Sequence, residues 1–159
     1  MKALVYYSMN GNTEFASGKI SEITGAKLIK IEPEKAYPNK GMRKFLKGGR
    51  DAIRQKTPKL LPYEFDASLY DEIIFGFPVW ASNVTPPIRS FIDENMDAIK
   101  SKTVAAFVCC SGGGAEKTLN SLKEYLGLDS FKAELILLDP KDKPKDSDIE
   151  SIKAFCEKL

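Results

Sequence analysis

The sequence of 159 residues contains no histidine and only three cysteines, at positions 109, 110 and 156. Without histidine, the chain lacks the usual general base, the Ser/His and Cys/His nucleophile pairs and the commonest zinc ligand. The adjacent pair Cys109 and Cys110, with Cys156, forms neither a disulfide framework nor a recognised metal-binding spacing. We therefore expect reduced thiols in the core, and we expect any chemistry to come from a bound cofactor.

Long hydrophobic runs are also absent. The longest uninterrupted apolar segment, residues 104–110, is far shorter than the roughly 20 residues that span a bilayer. The first residues lead into an apolar segment without the pattern of a cleavable signal peptide. We therefore expect no membrane partner and a cytoplasmic location. A length of 159 residues with 43% hydrophobic and 29% charged residues predicts one ordinary globular domain over residues 1–159.

Apolar strand patterns alternate along the chain with amphipathic helix patterns. The predicted strands are residues 3–7, 27–32, 71–77, 103–110 and 133–138. The predicted helices are residues 14–24, 42–55, 87–99, 115–126 and 146–159. This order is typical of an α/β fold with a doubly wound five-stranded parallel sheet in three layers. Ligands of such folds bind beyond the carboxyl ends of the strands, where three polar loops of this chain fall.

The first polar loop follows the first strand directly. Residues 3–7 are apolar without alternation, which indicates a parallel strand buried on both faces. The loop supplies neutral hydrogen-bond donors from four side chains, those of Ser8, Asn10, Asn12 and Thr13. A helix that begins near Thr13 would direct its unpaired N–H groups into the same loop, and Gly11 permits the sharp turn. Since residues 3–15 contain no lysine or arginine, the loop predicts a phosphate monoester held by dipoles without a fixed cation. A polar loop that only caps the helix is the alternative.

The second and third polar loops follow the third and fourth predicted strands. Residues 76–83 contain Pro78 and the only tryptophan, Trp80, and so offer a fixed turn beside a flat ring. Residues 111–114 are a serine and three glycines, which allow a ligand edge to approach the backbone closely. These loops suit a planar heteroaromatic ligand. The alternatives are that Trp80 only fills the core and that the glycines only form a flexible turn.

Together, residues 8–13, 78–80 and 111–114 closely resemble the three FMN-binding loops of flavodoxins and flavodoxin-like proteins. The first loop resembles the family's phosphate motif, hydroxyl-x-Thr-Gly-x-Thr, with Asn10 in place of the central hydroxyl residue. The resemblance covers nearly the whole chain and implies the strand order 2-1-3-4-5. The uninterrupted fifth strand is similar to that of short-chain members.

The resemblance also implies which residues bind the cofactor, FMN. Side chains of the first loop would hold the FMN phosphate, the backbone of the other two loops would line the isoalloxazine, and Trp80 would lie against one edge or face. The implied cofactor-binding residues are Ser8, Met9, Asn10, Gly11, Asn12, Thr13, Pro78, Val79, Trp80, Ala81, Ser111, Gly112 and Gly113. Many flavodoxins stack a tyrosine of the third loop on the outer flavin face, but here that loop offers only serine and glycine. One face would therefore be open to a second planar molecule.

Charge is the other departure from the family, because flavodoxins are typically very acidic and this chain has a formal charge of +2. Residues 33–62 contain nine Lys/Arg and two Asp/Glu, a local charge of +7 that leaves −5 elsewhere. In this segment we expect a helix over residues 42–55 with four apolar side chains facing inward, those of Phe45, Leu46, Ala52 and Ile53. The segment is either a solvated cationic face or a site for acidic partners or nicotinamide nucleotide phosphates. Nucleic acid is not expected, because interleaved aromatic residues are lacking.

Two functions follow from the resemblance. The first is electron transfer through bound FMN between redox partner proteins, with a neutral pocket that disfavours the anionic reduced flavin and lowers its potential. The second is an FMN-dependent NAD(P)H:quinone-type oxidoreductase, in which a nicotinamide nucleotide reaches the open flavin face. Rapid NAD(P)H oxidation would favour the enzyme. Either function is compatible with a monomer or a homodimer.

Overall fold

Five parallel strands form one sheet in the order β2-β1-β3-β4-β5 in the computed structural model, which describes residues 1–38 and 42–159, with backbone alone for residues 42–45. The strands are β1 Lys2–Tyr6, β2 Lys27–Lys30, β3 Glu72–Pro78, β4 Thr103–Cys110 and β5 Glu134–Leu138. The helices are α1 Asn12–Thr24, α2 Met42–Ile53, α3 Pro86–Ile99, α4 Ala115–Leu126 and α5 Asp146–Cys156. The predicted doubly wound fold and its strand order are confirmed.

Alternate residues of the central strands face two separate cores. Phe75 and Val108 lie in the core beneath α3 and α4, whereas Ile74 and Phe107 lie in the core beneath α1 and α5. All four side chains are fully buried. Helices therefore cover both faces of the sheet, which explains why β1, β3 and β4 read as continuous apolar runs. Among the residues that the structure describes, no helix is long and apolar enough to cross a bilayer.

The parallel register brings the carboxyl ends of β1, β3 and β4 to one edge of the sheet. Pro78 pairs with Cys109 at the end of β3 and β4. Backbone hydrogen bonds continue beyond the strands, because the N–H of Tyr7 donates to the Gly76 carbonyl at 3.0 Å and that of Val79 to the Cys109 carbonyl at 2.9 Å. The residue before the first polar loop and a residue within the second are thus held by the sheet itself.

The inward face of α2 differs from the one predicted. Leu46 and Ile53 are 64% and 63% exposed, so the expectation that they face the core is wrong. Ala52 is buried as expected, and the side chain of Phe45 lies outside the described residues. The reason is that Gly48, four residues before Ala52, packs directly against the ring of Trp80. The helix therefore turns its small residues inward.

Gly76 tests how tightly the centre of the sheet is packed. A Cβ added at this position would lie 2.3 Å from the Cζ of Phe107, which is fully buried on the neighbouring strand. We expect Gly76→Ala to lower the free energy of unfolding by about 1–3 kcal/mol, because the ring has no free space to move into. Urea denaturation monitored by circular dichroism measures this change.

Gly18→Ala is the matched control. Gly18 lies inside α1, and an added Cβ there meets nothing within 4 Å. Alanine should raise stability by up to about 1 kcal/mol through helix propensity. Equal urea concentrations at the unfolding midpoint for wild type and Gly76→Ala would contradict the packing described for β3 and β4.

Candidate cofactor-binding site

A cavity of about 350 Å³ opens at the carboxyl edge of the sheet, a size within the usual range of small-molecule sites. All three polar loops contribute to its lining. The residues predicted for the site that line it are Ser8, Met9, Asn10, Asn12, Thr13, Pro78, Val79, Trp80, Ala81 and Ser111. Gly11, Gly112 and Gly113 were also predicted for the site but do not line the cavity. Four further lining residues escaped the sequence reasoning: Gly49, Cys109, Cys110 and Asp139.

The N-terminus of α1 lies at the cavity. Gly11 precedes its first turn with a φ of 88°, and none of the described side chains caps this terminus. The Ser8 Oγ accepts a hydrogen bond from the Gly11 N–H at 3.1 Å and so closes the loop on itself. Thr13 is buried, and its side chain lies beside the thiol of Cys109. The uncapped N–H groups and the positive end of the helix dipole favour an anion here.

Asn12 ties the first loop to residues 139–143, which follow β5 and which we call the strap. Its Oδ1 accepts hydrogen bonds from the backbone N–H groups of Lys141 at 2.9 Å and Asp142 at 3.3 Å. Its Nδ2 donates to the Asp142 carboxylate at 2.8 Å. The Asn12 side chain thus fixes the position of the loop.

A cation lies beside the first loop, although none occurs in the loop itself. A Cβ added at Gly11 would lie 2.7 Å from the Nζ of Lys141, so this ammonium group covers the outer side of the loop. Lys141 is exposed and does not line the cavity, so the expectation of a loop without a fixed cation stays a prediction. The sequence could not place Lys141 beside this loop, because Lys141 follows β5 and only the folded sheet brings it to the loop after β1.

Trp80 is both a core residue and a cavity wall. Its side chain is buried and lines the cavity. The rings of Tyr7 and Tyr37 meet it edge-on, with centroid distances of 5.5 Å and 5.0 Å. A Cβ on Gly48 would lie 3.0 Å from its ring. The indole is therefore held on three sides. Its position in the core and its position in the cavity wall, which were stated as alternatives, are compatible.

The turn after Trp80 has unusual backbone geometry. Ala81 and Ser82 have φ values of 48° and 59°, a region that residues other than glycine enter only at a cost of about 1–3 kcal/mol. The Asn83 N–H closes the turn by donating to the Trp80 carbonyl at 3.0 Å, and the Asn83 side chain donates to the Ala81 carbonyl at 2.7 Å. The turn is thus held in its strained form by its own hydrogen bonds, with Ala81 in the cavity wall.

The strap also holds the third loop. The Ser111 hydroxyl donates to the Asp139 carboxylate at 2.6 Å, and the Asp139 N–H donates to the Cys110 carbonyl at 3.0 Å. The other carboxylate oxygen of Asp139 lies 3.2 Å from the ammonium group of Lys143. An acidic side chain therefore lines a cavity that the sequence predicted to be neutral. Its position directly after the predicted strand 133–138 was the signal that could have revealed it.

The two thiols in the cavity wall are neutral groups at ordinary pH. Burial raises the pKa of Cys109 to about 12 and also raises that of Cys110. All three cysteines are free and buried, as the sequence predicted. Because a thiol is a poor nucleophile when protonated, these side chains act as wall rather than as reactive groups.

Residues 2–145 match the sequence profile of the family described as Flavodoxin. The chain belongs to the flavodoxin family. The resemblance predicted from the three loops is therefore confirmed, and the loops of this flavodoxin-family chain lie at the edge of the sheet where the fold predicts a ligand.

Solved structures share the fold. A flavoprotein of Lactobacillus acidophilus NCFM in complex with FMN is 22% identical, with a TM-score of 0.69 over 89% of this chain and 94% of that one. A candidate flavoprotein from Bacteroides eggerthii DSM 20697 is 22% identical, with a TM-score of 0.74 over 98% and 95% of the two chains. Oxidised Flavodoxin 1 from Bacillus cereus is 20% identical, with a TM-score of 0.59 over 99% and 95%. At these identities the likeness shows the fold.

The role of Asn12 as a tie can be measured without any ligand. We expect Asn12→Ala to lower the free energy of unfolding by about 1–3 kcal/mol, because it removes three hydrogen bonds between the first loop and the strap. Hydrogen exchange followed by NMR should show faster exchange at the N–H groups of Lys141 and Asp142. Asn10→Ala, at an exposed position of the same loop, is the control. Unchanged protection of both amides in Asn12→Ala would refute the tie.

Proposed function

We propose that this chain binds FMN in the cavity between its three loops and mediates electron transfer through it. The observation that carries the proposal is the uncapped N-terminus of α1 beside a cavity with a tryptophan wall. FMN supplies the one- and two-electron redox chemistry that a chain without histidine and with neutral thiols lacks.

The first loop is proposed to bind the FMN phosphate. Ser8 and Thr13 offer hydroxyl groups, and the first turn of α1 offers backbone N–H groups at the positive end of the helix dipole. The ammonium group of Lys141 adds a cation on the outer side of the loop. In this arrangement the Asn12 side chain holds the loop in place, and the Asn12 backbone N–H is proposed to bind the phosphate.

The second and third loops are proposed to bind the isoalloxazine ring. Pro78, Val79 and Trp80 present backbone groups and an immobilised indole to a flat ligand. Ser111 and Asp139 also line the cavity. The Asp139 carboxylate disfavours negative charge on the ring and so lowers the potential of the bound flavin.

Thr13→Val tests the phosphate site. Valine has the shape of threonine without its hydroxyl, so FMN affinity should fall by roughly 10- to 100-fold, the loss typical of one hydrogen bond to a charged group. Riboflavin, which lacks the phosphate, should lose little affinity. Fluorescence titration of the apoprotein with both flavins measures the two dissociation constants. Equal losses for FMN and riboflavin would count against the assignment.

Asp139→Asn tests the electrostatic part of the proposal. The wild-type protein should hold FMN at a midpoint potential below that of the free flavin. Removal of the carboxylate should raise the potential by roughly tens of millivolts. Asp146→Asn, an equal charge change at the exposed start of α5, is the control for net charge. Anaerobic spectroelectrochemistry gives the potentials, and a wild-type potential at or above that of free FMN contradicts this picture.

The alternative is an FMN-dependent NAD(P)H:quinone-type oxidoreductase. It is favoured by the exposure of Ser111, Gly112 and Gly113, because no aromatic side chain of this loop covers the cavity. Rapid anaerobic oxidation of NADPH by the FMN-loaded protein would favour the reductase over the carrier. For either function we propose one domain over residues 1–159, acting in the cytoplasm as a monomer or homodimer.

A further inference from the structure

A shallow apolar groove lies on the outer side of α2, next to the cofactor cavity. Its lining residues are Leu46, Gly49, Arg50, Ile53, Arg54 and Ala81. Leu46, Arg50 and Ile53 follow one another at intervals of four and three residues and so share one helix face. Because Leu46 and Ile53 are 64% and 63% exposed, this face presents two large aliphatic side chains to solvent. These two side chains form the apolar part of the groove, and Arg50 and Arg54 give it a charged rim.

The groove and the cofactor cavity share a wall. Gly49 and Ala81 line both of them. A molecule that occupies the groove would therefore contact the same two residues as the ligand in the cavity. This adjacency is what electron transfer between a docked protein and a bound cofactor requires.

The surroundings of the groove carry positive charge. Arg50 and Arg54 are exposed lining residues, and Lys56 lies just beyond them. The only acidic residue in the segment 46–56, Asp51, is buried and faces inward, with Arg50 and Lys56 at 3.9 Å and 3.7 Å from its carboxylate. The solvent-facing side of α2 is therefore positively charged, although the residues outside 33–62 have a net formal charge of −5.

We propose that this groove docks an acidic electron-transfer protein, with an apolar side chain of the partner between Leu46 and Ile53 and its carboxylates on Arg50 and Arg54. The inference rests on the proposed function. It reverses the polarity usual in flavodoxins, whose acidic surfaces suit basic partners. A protein fits better than a nucleotide, because the lining residues that the structure describes offer aliphatic side chains and no aromatic ring on which a base can stack.

Each encounter is an outer-sphere step that makes and breaks no bond. With FMN bound in the neighbouring cavity, one electron would pass from the reduced partner, which is oxidised, to the flavin, which is reduced. Two encounters supply the two electrons that FMN can accept, and protons come from solvent. The role of α2 is to bring the two redox centres close together.

A plant-type [2Fe–2S] ferredoxin, an acidic one-electron carrier of low potential, is a suitable probe. Dithionite-reduced ferredoxin is mixed with the oxidised FMN-loaded protein in a stopped-flow instrument at several salt concentrations. We expect the second-order rate constant to fall as salt rises, and to fall about tenfold at low salt in Arg50→Gln/Arg54→Gln. Ile53→Ser should slow the reaction at both low and high salt. Calorimetric titration of the same pair should show a parallel loss of affinity.

The matched control is Lys153→Gln/Lys158→Gln, which removes two exposed charges at the α5 end of the chain, on the opposite face of the sheet. This variant should react with ferredoxin at nearly the wild-type rate. FMN affinity measured in every variant separates the two proposals. If wild type fails to bind FMN, the proposed function fails and the docking proposal with it.

If FMN binds but the arginine pair and its control give equal rates, only the docking proposal is overturned. Slower NADPH oxidation in the arginine variant, with an unchanged ferredoxin rate, would also overturn it and assign the groove to a nucleotide.

Discussion

The strap, residues 139–143, holds the site together because it bonds to two loops that are far apart in sequence. The side chain of Asn12 in the first loop accepts hydrogen bonds from two backbone N–H groups of the strap. The hydroxyl of Ser111 in the third loop donates to the Asp139 carboxylate of the strap. These contacts form because β1, β4 and β5 end at the same edge of one parallel sheet. The sheet register thus sets where the loops begin, and the strap sets how far apart their tips lie.

The site contains both positive and negative electrostatic features. The first loop has an uncapped helix N-terminus and the nearby Lys141, which both favour an anion. Asp139 also lines the cavity, and its carboxylate disfavours one. A positive first loop together with a carboxylate in the cavity lining suits a ligand that has an anionic tail and a neutral ring. The strained turn at Ala81 and Ser82 and the immobilised Trp80 add a fixed wall, so the cavity keeps its shape without relying on flexible side chains.

The sequence predicted the fold well because long apolar runs, such as the one in β4, have few other interpretations. It also predicted most of the cavity lining, since loops after parallel strands meet at one edge. It could not reveal Lys141 beside Gly11 or the tie between Asn12 and the strap, because both depend on contacts between residues far apart in the chain. The prediction of the inward face of α2 was wrong because the hydrophobic pattern favoured burial of Leu46 and Ile53. The Gly48-Gly49 pair was the overlooked signal, since glycines inside a helix are costly unless another group must approach closely.

We propose that the loop after β1 binds the phosphate monoester of FMN through its helix dipole and backbone N–H groups. ³¹P NMR of FMN mixed with an excess of the purified chain tests it most directly, because the signal reports on the phosphate alone. We expect a separate bound resonance whose position stays nearly constant between pH 5.5 and 8, since the N-terminus of α1 and the ammonium group of Lys141 hold the phosphate as a dianion. A spectrum that shows only free FMN at millimolar protein, or a bound signal that titrates like the free phosphate, would contradict it.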